Sequence, residues 1–363
     1  MRYYLDYNAS APILKEVKDY IISTLDVIGN PSSIHHAGRE AKKIIEKSRE
    51  QIASFIKTEK NNIIFTSGAT EANNLIIKNF KKIISSNIEH ESIINSSNIS
   101  KVNVTSEGYV DLNHLEYIAN NIKIKSDALI SIMYANNETG IIQPLEDIAK
   151  ISRKYNILFH TDAVQAVGRV DVDFNNLGCD FLTLSSHKIG GPKGAGALVV
   201  KNKSSLKAYL SGGSQEYNLR AGTESLLAIA GFGMAASFSS LEKMKTIIKL
   251  RDSFETELLK ENEDIIIIGK NSNRLPNTFM FCIPGISAND ILIALDIEGF
   301  EVSTGSACSS GKIEPSRTLK EMGLSKKIFN SSVRVSLGPY NNFLQAKIFA
   351  KAVNNIKKRF LKN

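Results

Sequence analysis

Residues 180–194, Asp-Phe-Leu-Thr-Leu-Ser-Ser-His-Lys-Ile-Gly-Gly-Pro-Lys-Gly, lead an apolar run into two hydroxyls, an imidazole, the amine of Lys188 and a glycine-rich turn. A lysine in such a place can form a Schiff base with a carbonyl. A second run, residues 157–165, Ile-Leu-Phe-His-Thr-Asp-Ala-Val-Gln, ends in the carboxylate of Asp162 and the amide of Gln165. These groups suit a pyridinium nitrogen and a phenolic oxygen, so amine, carboxylate and amide together point to pyridoxal phosphate. Each piece has a plainer reading: a lysine before glycines is usually a solvated charge, a strand-end aspartate most often caps a helix, and Ser-Ser-His is commonly a turn. What joins them is position. Each follows an apolar run, and in a parallel sheet the carboxyl ends of neighbouring strands meet at the edge where ligands bind.

Other segments could complete such a site. In Thr66-Ser-Gly-Ala-Thr-Glu-Ala-Asn-Asn74 a strand passes into a helix, and its glycine, hydroxyls and helix-start N–H groups suit a phosphate, although an ordinary N-cap would look the same. The Walker lysine is absent at the required spacing, which weighs against a nucleotide site. His90 follows the strand-like residues 82–88 and could lie over an aromatic ring and exchange protons near neutral pH. Cys308 sits in Ser303-Thr-Gly-Ser-Ala-Cys-Ser-Ser-Gly311, among small residues that predict a mobile, accessible loop able to swing a thiol toward a substrate. Arg334, in the alternating run Ser331-Ser-Val-Arg-Val-Ser-Leu-Gly338, offers a fork for a carboxylate; a cross-strand salt bridge is the competing reading.

Elements must hold these groups in place. Strand-like runs at 63–66, 128–133 and 157–160 alternate with helical patterns, including residues 144–155, which predicts α/β architecture with a mostly parallel sheet flanked by helices. Pro144 suits the first turn of its helix, and a long helix follows Pro31, with Ala41, Ile44, Ile45, Ile52 and Phe55 on one side. From roughly Lys243 a long charged helix, strands near 264–269 and 278–283, and a helix stopped by Gly299 read as a smaller α+β unit. The expected division is a large domain at 15–245 and a small one built from 1–14 and 246–363, carrying the Cys308 loop. The 363 residues suffice for two domains, and 42% hydrophobic with 23% charged residues exclude a disordered chain. With no spanning apolar run and no secretory signal, a cytoplasmic protein without a membrane role is expected. Cys179, Cys282 and Cys308 are too scattered for a disulfide framework or a zinc cluster. The net charge of +8 is spread over helix faces, including the basic last helix, so a direct nucleic-acid role is not expected.

Jointly these segments resemble the NifS/IscS-type cysteine desulfurases of the class V aminotransferase family. The likeness runs from Tyr4-Leu-Asp-Tyr-Asn-Ala-Ser10 through Asn136-Asn-Glu-Thr-Gly140 and Arg220-Ala-Gly-Thr-Glu224 to Arg334. It implies the PLP-dependent transferase (aspartate aminotransferase-like) fold, a homodimer, and conversion of L-cysteine to L-alanine with sulfur carried as a persulfide on Cys308. By the same resemblance Lys188 is the Schiff-base lysine, Asp162 meets the ring nitrogen, Gln165 the phenolate oxygen, and His90 covers the ring. Ala69, Thr70, Ser185 and His187 would bind the phosphate, with Thr223 reaching a neighbouring subunit's phosphate, while Asn137 and Arg334 hold the substrate. No resident metal is implied, with Cys308 available as a transient iron-sulfur ligand. The sulfur acceptor would be an iron-sulfur scaffold or a tRNA thiolase. Ser214, Tyr217 and Leu219 depart from the family pattern. The rival readings are a selenocysteine lyase, a cysteine sulfinate desulfinase or a small-amino-acid aminotransferase and, outside enzymes, a sulfur carrier without cofactor or a basic RNA-binding protein.

Overall fold

The computed structural model describes residues 2–304 and 315–361. In chain order its strands are β1 (Tyr3–Tyr4), β2 (Ile63–Thr66), β3 (Lys82–Ser86), β4 (Ile99–Val102), β5 (Ala128–Ser131), β6 (Leu158–Asp162), β7 (Phe181–Ser185), β8 (Gly196–Val200), β9 (Ile266–Ile268), β10 (Thr278–Cys282), β11 (Phe300–Glu301) and β12 (Ser332–Ser336). Seven of them form one sheet in the order β2-β8-β7-β6-β5-β3-β4, parallel except for β8. Period-2 alternation divides its side chains between two covered faces. Ile63, Phe65, Ile84, Ile130, Leu182, Leu184 and Val199 enter one apolar cluster, while Ile64, Ile83, Leu129, Phe181 and Leu198 enter another. A sheet buried on both sides explains why these strands read as near-continuous apolar runs.

The expected helix after Pro31 spans His36–Phe55 and packs against Leu226–Phe238. The two backbones approach closely at Gly233, where an added Cβ would lie 2.5 Å from the Ser48 Cα. Pro144 occupies the N-cap of Leu145–Tyr155 instead of its first turn, because its ψ of 68° is not helical.

A second core gathers Leu5, Phe254, Phe279, Phe281, Phe300 and Phe349. It lies between the antiparallel sheet β12-β10-β9, the helix Leu241–Glu261 and the last helix Phe343–Leu361. Leu241–Glu261 begins slightly before the expected change of pattern and runs across position 245. The N-terminal strand β1 pairs with β11 and brings Leu5 into this core, so the chain start belongs with its end. No helix among the described residues is long and apolar enough to cross a membrane.

Candidate active site

The parallel strands point their carboxyl ends to one edge, and a cavity of about 510 Å³ opens there. Beyond β2 the chain turns into the helix Ala69–Ile77, beyond β3 it reaches His90, and beyond β5 Asn137. β6 ends on Asp162 itself, and β7 passes through a single tight turn, Ser186–Lys188. Every site residue expected from the sequence lines this cavity except Thr223 and Cys308. Thr223 is exposed on the surface, and Cys308 lies outside the described residues.

Asp162 is buried, with Oδ1 accepting from the Val164 N–H at 3.0 Å and Oδ2 from Asn73 Nδ2 at 2.8 Å. Two neutral donors hold this carboxylate in place and leave its charge for a ligand cation. The same Asn73 amide donates to Ser92 Oγ at 2.9 Å, and the Ser92 N–H donates to His90 Nδ1 at 3.1 Å. Nδ1 is therefore an acceptor, which places the proton of neutral His90 on Nε2. Asn73 thus links the carboxylate and the imidazole. In the fold it is a fully buried amide on a helix face otherwise made of Ala72, Leu75 and Ile76.

Lys188 Nζ donates to the carbonyls of Asn8 and Ala9, at 2.5 and 2.9 Å. Gln165 Nε2 donates to the same Asn8 carbonyl at 3.1 Å, and its Oε1 accepts from buried Arg169. Asn8, also unassigned by sequence reasoning, is almost fully buried, and its side chain bonds with Thr278, Asn277 and the Asn137 carbonyl. A segment attached to the small core thereby fixes two groups of the large sheet.

At the other end of the cavity lie the start of Ala69–Ile77, Thr70, Ser185 and His187. A helix leaves its first N–H groups without partners of its own, and its dipole favours an anion there. Gly196 lets β8 press against this turn, since a Cβ on it would fall 2.6 Å from the Gly68 carbonyl carbon. Burial, with the charges of Lys188, Lys193 and Arg169 adding to it, holds the His187 imidazole down at about 4. Neutral His187, free hydroxyls and a positive surround match a phosphate dianion. Pyridoxal phosphate fits this cavity: anion-binding groups at one end, a carboxylate and an amide at the middle, and an amine between them.

On the remaining side, Arg334 comes from the centre of β12. Its Nη2 donates to Asp6 Oδ1 at 2.6 Å and its Nη1 to the Asn137 carbonyl at 3.0 Å. The salt bridge weighed from sequence is present, with a carboxylate from the chain start instead of a facing strand. The described cysteines are both buried; burial pushes the Cys282 thiol to about 11 and that of Cys179 higher still, so neither is an activated nucleophile.

The aminotransferase class-V family model matches residues 3–349. The chain is 43% identical to the cysteine desulfurase IscS of Dictyoglomus turgidum, over 93% of this chain and 90% of that protein. It is 37% identical to the cysteine desulfurase of a Nostoc species, over 94% and 89%. Among solved structures, the X-ray structure of a NifS-like protein from Rickettsia africae superposes with a TM-score of 0.92 at 40% identity, covering 98% of this chain and 99% of the other.

Proposed function

The chain belongs to the class-V aminotransferase family, and we propose that the cavity at the ends of β6 and β7 is where it works as a cysteine desulfurase. Its cofactor is pyridoxal phosphate, and the enzyme converts L-cysteine to L-alanine and a protein-bound persulfide. The observation that carries the site assignment is the convergence of Lys188, Asp162, Gln165, His90, Asn137 and Arg334 on one cavity.

When bound, pyridoxal phosphate supplies an electron sink for the charge released at the substrate Cα. Lys188 would hold the cofactor aldehyde, and its Nζ would carry the proton from the substrate Cα. Asp162 keeps a proton on the ring nitrogen, Gln165 meets the phenolic oxygen, and Ala69, Thr70, Ser185 and His187 bind the phosphate. His90 covers the ring and exchanges a proton at Nε2 with the substrate thiol. Arg334 and Asn137 orient the amino acid through its carboxylate. Cys308, as thiolate, attacks the substrate sulfur: a sulfur–sulfur bond forms as the Cβ–sulfur bond breaks, and that bond's electron pair and the proton of the substrate thiol end on Cβ, leaving L-alanine and a persulfide.

The functional unit in this reading is a homodimer working in the cytoplasm. Ile28 and Ile34, each 90% exposed, support a second copy, and exposed Thr223 is free to reach that copy's phosphate. An iron-sulfur scaffold or a tRNA thiolase takes the sulfur. Mass spectrometry of the protein after addition of L-cysteine tests the assignment. Cys308 gains one sulfur atom, the gain disappears in Cys308→Ala, and the yellow colour of the loaded protein disappears in Lys188→Ala. Unchanged alanine and sulfide output from Cys308→Ala would refute it.

A further inference from the structure

Arg334 is 4% exposed and Asp6, 18% exposed, contacts it without lining the cavity. A guanidinium has five N–H donors. Asp6 Oδ1 and the Asn137 carbonyl take one each, and the buried Nε finds no acceptor among the described residues. Asp6 is itself firmly placed. Its backbone bridges to Ser336 on the strand that carries Arg334, and its carbonyl accepts from the Ala9 and Ser10 N–H groups and the Tyr4 hydroxyl.

We propose that Asp6 is a positioning residue for substrate recognition: it aims the Arg334 fork from behind and partly neutralises it, setting how strongly the site takes an α-carboxylate. The proposal rests on the reading of Arg334 as the carboxylate fork. Two effects of Asp6 oppose each other. As an acceptor it holds the guanidinium in one plane, so that less conformational freedom is lost when a carboxylate arrives. As a charge it repels that carboxylate across the arginine. The isosteric Asp6→Asn keeps an acceptor oxygen and removes the charge, whereas Asp6→Ala removes both, so the two variants separate the effects.

The experiment uses pyridoxal-phosphate-loaded wild type, D6N, D6A and R334A, each checked for folding by circular dichroism and thermal melting. Two inhibitors are compared in each: 3-mercaptopropionate, which keeps the carboxylate and lacks the amine, and cysteamine, which lacks the carboxylate. In D6N the ratio of inhibition constants shifts about fivefold toward 3-mercaptopropionate and the KM for L-cysteine falls. In D6A the ratio shifts about tenfold the other way and KM rises more than kcat falls. R334A abolishes the carboxylate preference. If R334A abolishes it while both Asp6 variants stay within about twofold of wild type, or move together, the role of Asp6 is overturned. If R334A keeps the preference, the reading of Arg334 fails first and the proposal with it.

Discussion

Glu89 lies fully buried one residue before His90. Its Oε1 accepts from Ser86 Oγ at 2.7 Å and the Met133 N–H at 2.9 Å, while Oε2 has no partner among the described residues. Burial, reinforced by the charge of Asp162, pushes this carboxyl up to about 8. The unfolded chain releases the same proton at about 4.3. Between the two values the folded protein holds a proton the unfolded chain has lost, so stability is greatest on the acid side and declines as pH rises toward 8. Glu89→Gln carries an amide in place of the protonated acid and loses that slope. Calorimetry at pH 5, 7 and 9 should show the variant near wild type at pH 5 and more stable by about 2–4 kcal/mol at pH 9; parallel curves would mean Glu89 is ionised inside. The sequence showed Lys188 and Asp162 because each stands at the end of an apolar run, a purely local signal. Asn8, Asn73 and Glu89 gave no comparable signal. Their roles come from partners 44 to 270 positions away, such as Asn8 on Thr278 and Glu89 under Met133, which only the fold brings together.

The strands were readable because both faces of the sheet are covered, which leaves unbroken apolar runs with polar ends. Short helices were harder. Arg317–Glu321 has under two turns, too few for periodicity to register, and depends on Ser316, whose Oγ accepts from the Leu319 N–H at 3.1 Å. This helix is pinned to the site by Glu138 of the Asn-Asn-Glu-Thr-Gly segment. Buried Glu138 accepts from Thr318 Oγ1 at 2.9 Å and from Ser316 Oγ, and Arg317 donates to the Glu89 carbonyl beside His90. Glu138→Ala leaves two buried hydroxyls without acceptors and costs about 2–4 kcal/mol of stability. Because Ser316 stands only eight residues after Cys308 in the sequence, the same variant should make alanine from L-cysteine about tenfold more slowly while still binding pyridoxal phosphate, as read by its absorbance. A rate equal to wild type would show that the pin is only structural. The two apolar cores also support the proposed division into 15–245 and 1–14 with 246–363; the junction falls inside the helix Leu241–Glu261, whose Ile247, Leu250 and Phe254 already face the second core.

At the scale of the whole molecule, the surface follows a different logic from the cavity. Ile22, Leu25, Ile28 and Ile34, on and after the helix Lys15–Thr24, are between 54% and 90% exposed. Large exposed apolar surface is where partners dock, and in the proposed homodimer these residues face the second copy. Near Thr223 the exposed Tyr217 and Asn218 follow the buried Glu216 in a tightly held turn. Glu216, Tyr217 and Asn218 all have positive φ, a strained run for side-chain-bearing residues. Glu216 is clamped by the Arg49 fork at 2.7 and 2.9 Å, and Arg220 by Glu71 at 2.8 Å. Arg220 thereby braces Glu71 in its own cavity, while the exposed part of the strained segment is, in the proposed homodimer, the part that faces the second copy. Ile28→Asp with Ile34→Asp places like charges on both sides of such a contact, where they repel and lose hydration. In sedimentation the wild type should run at twice the 39.9 kDa of one chain and the double variant as a single chain. Losing the partner's Thr223, the variant should also release pyridoxal phosphate more readily on dialysis. A double variant that still sediments as a dimer would place the contact elsewhere, and one that becomes monomeric with undiminished cofactor retention would separate Thr223 from the phosphate.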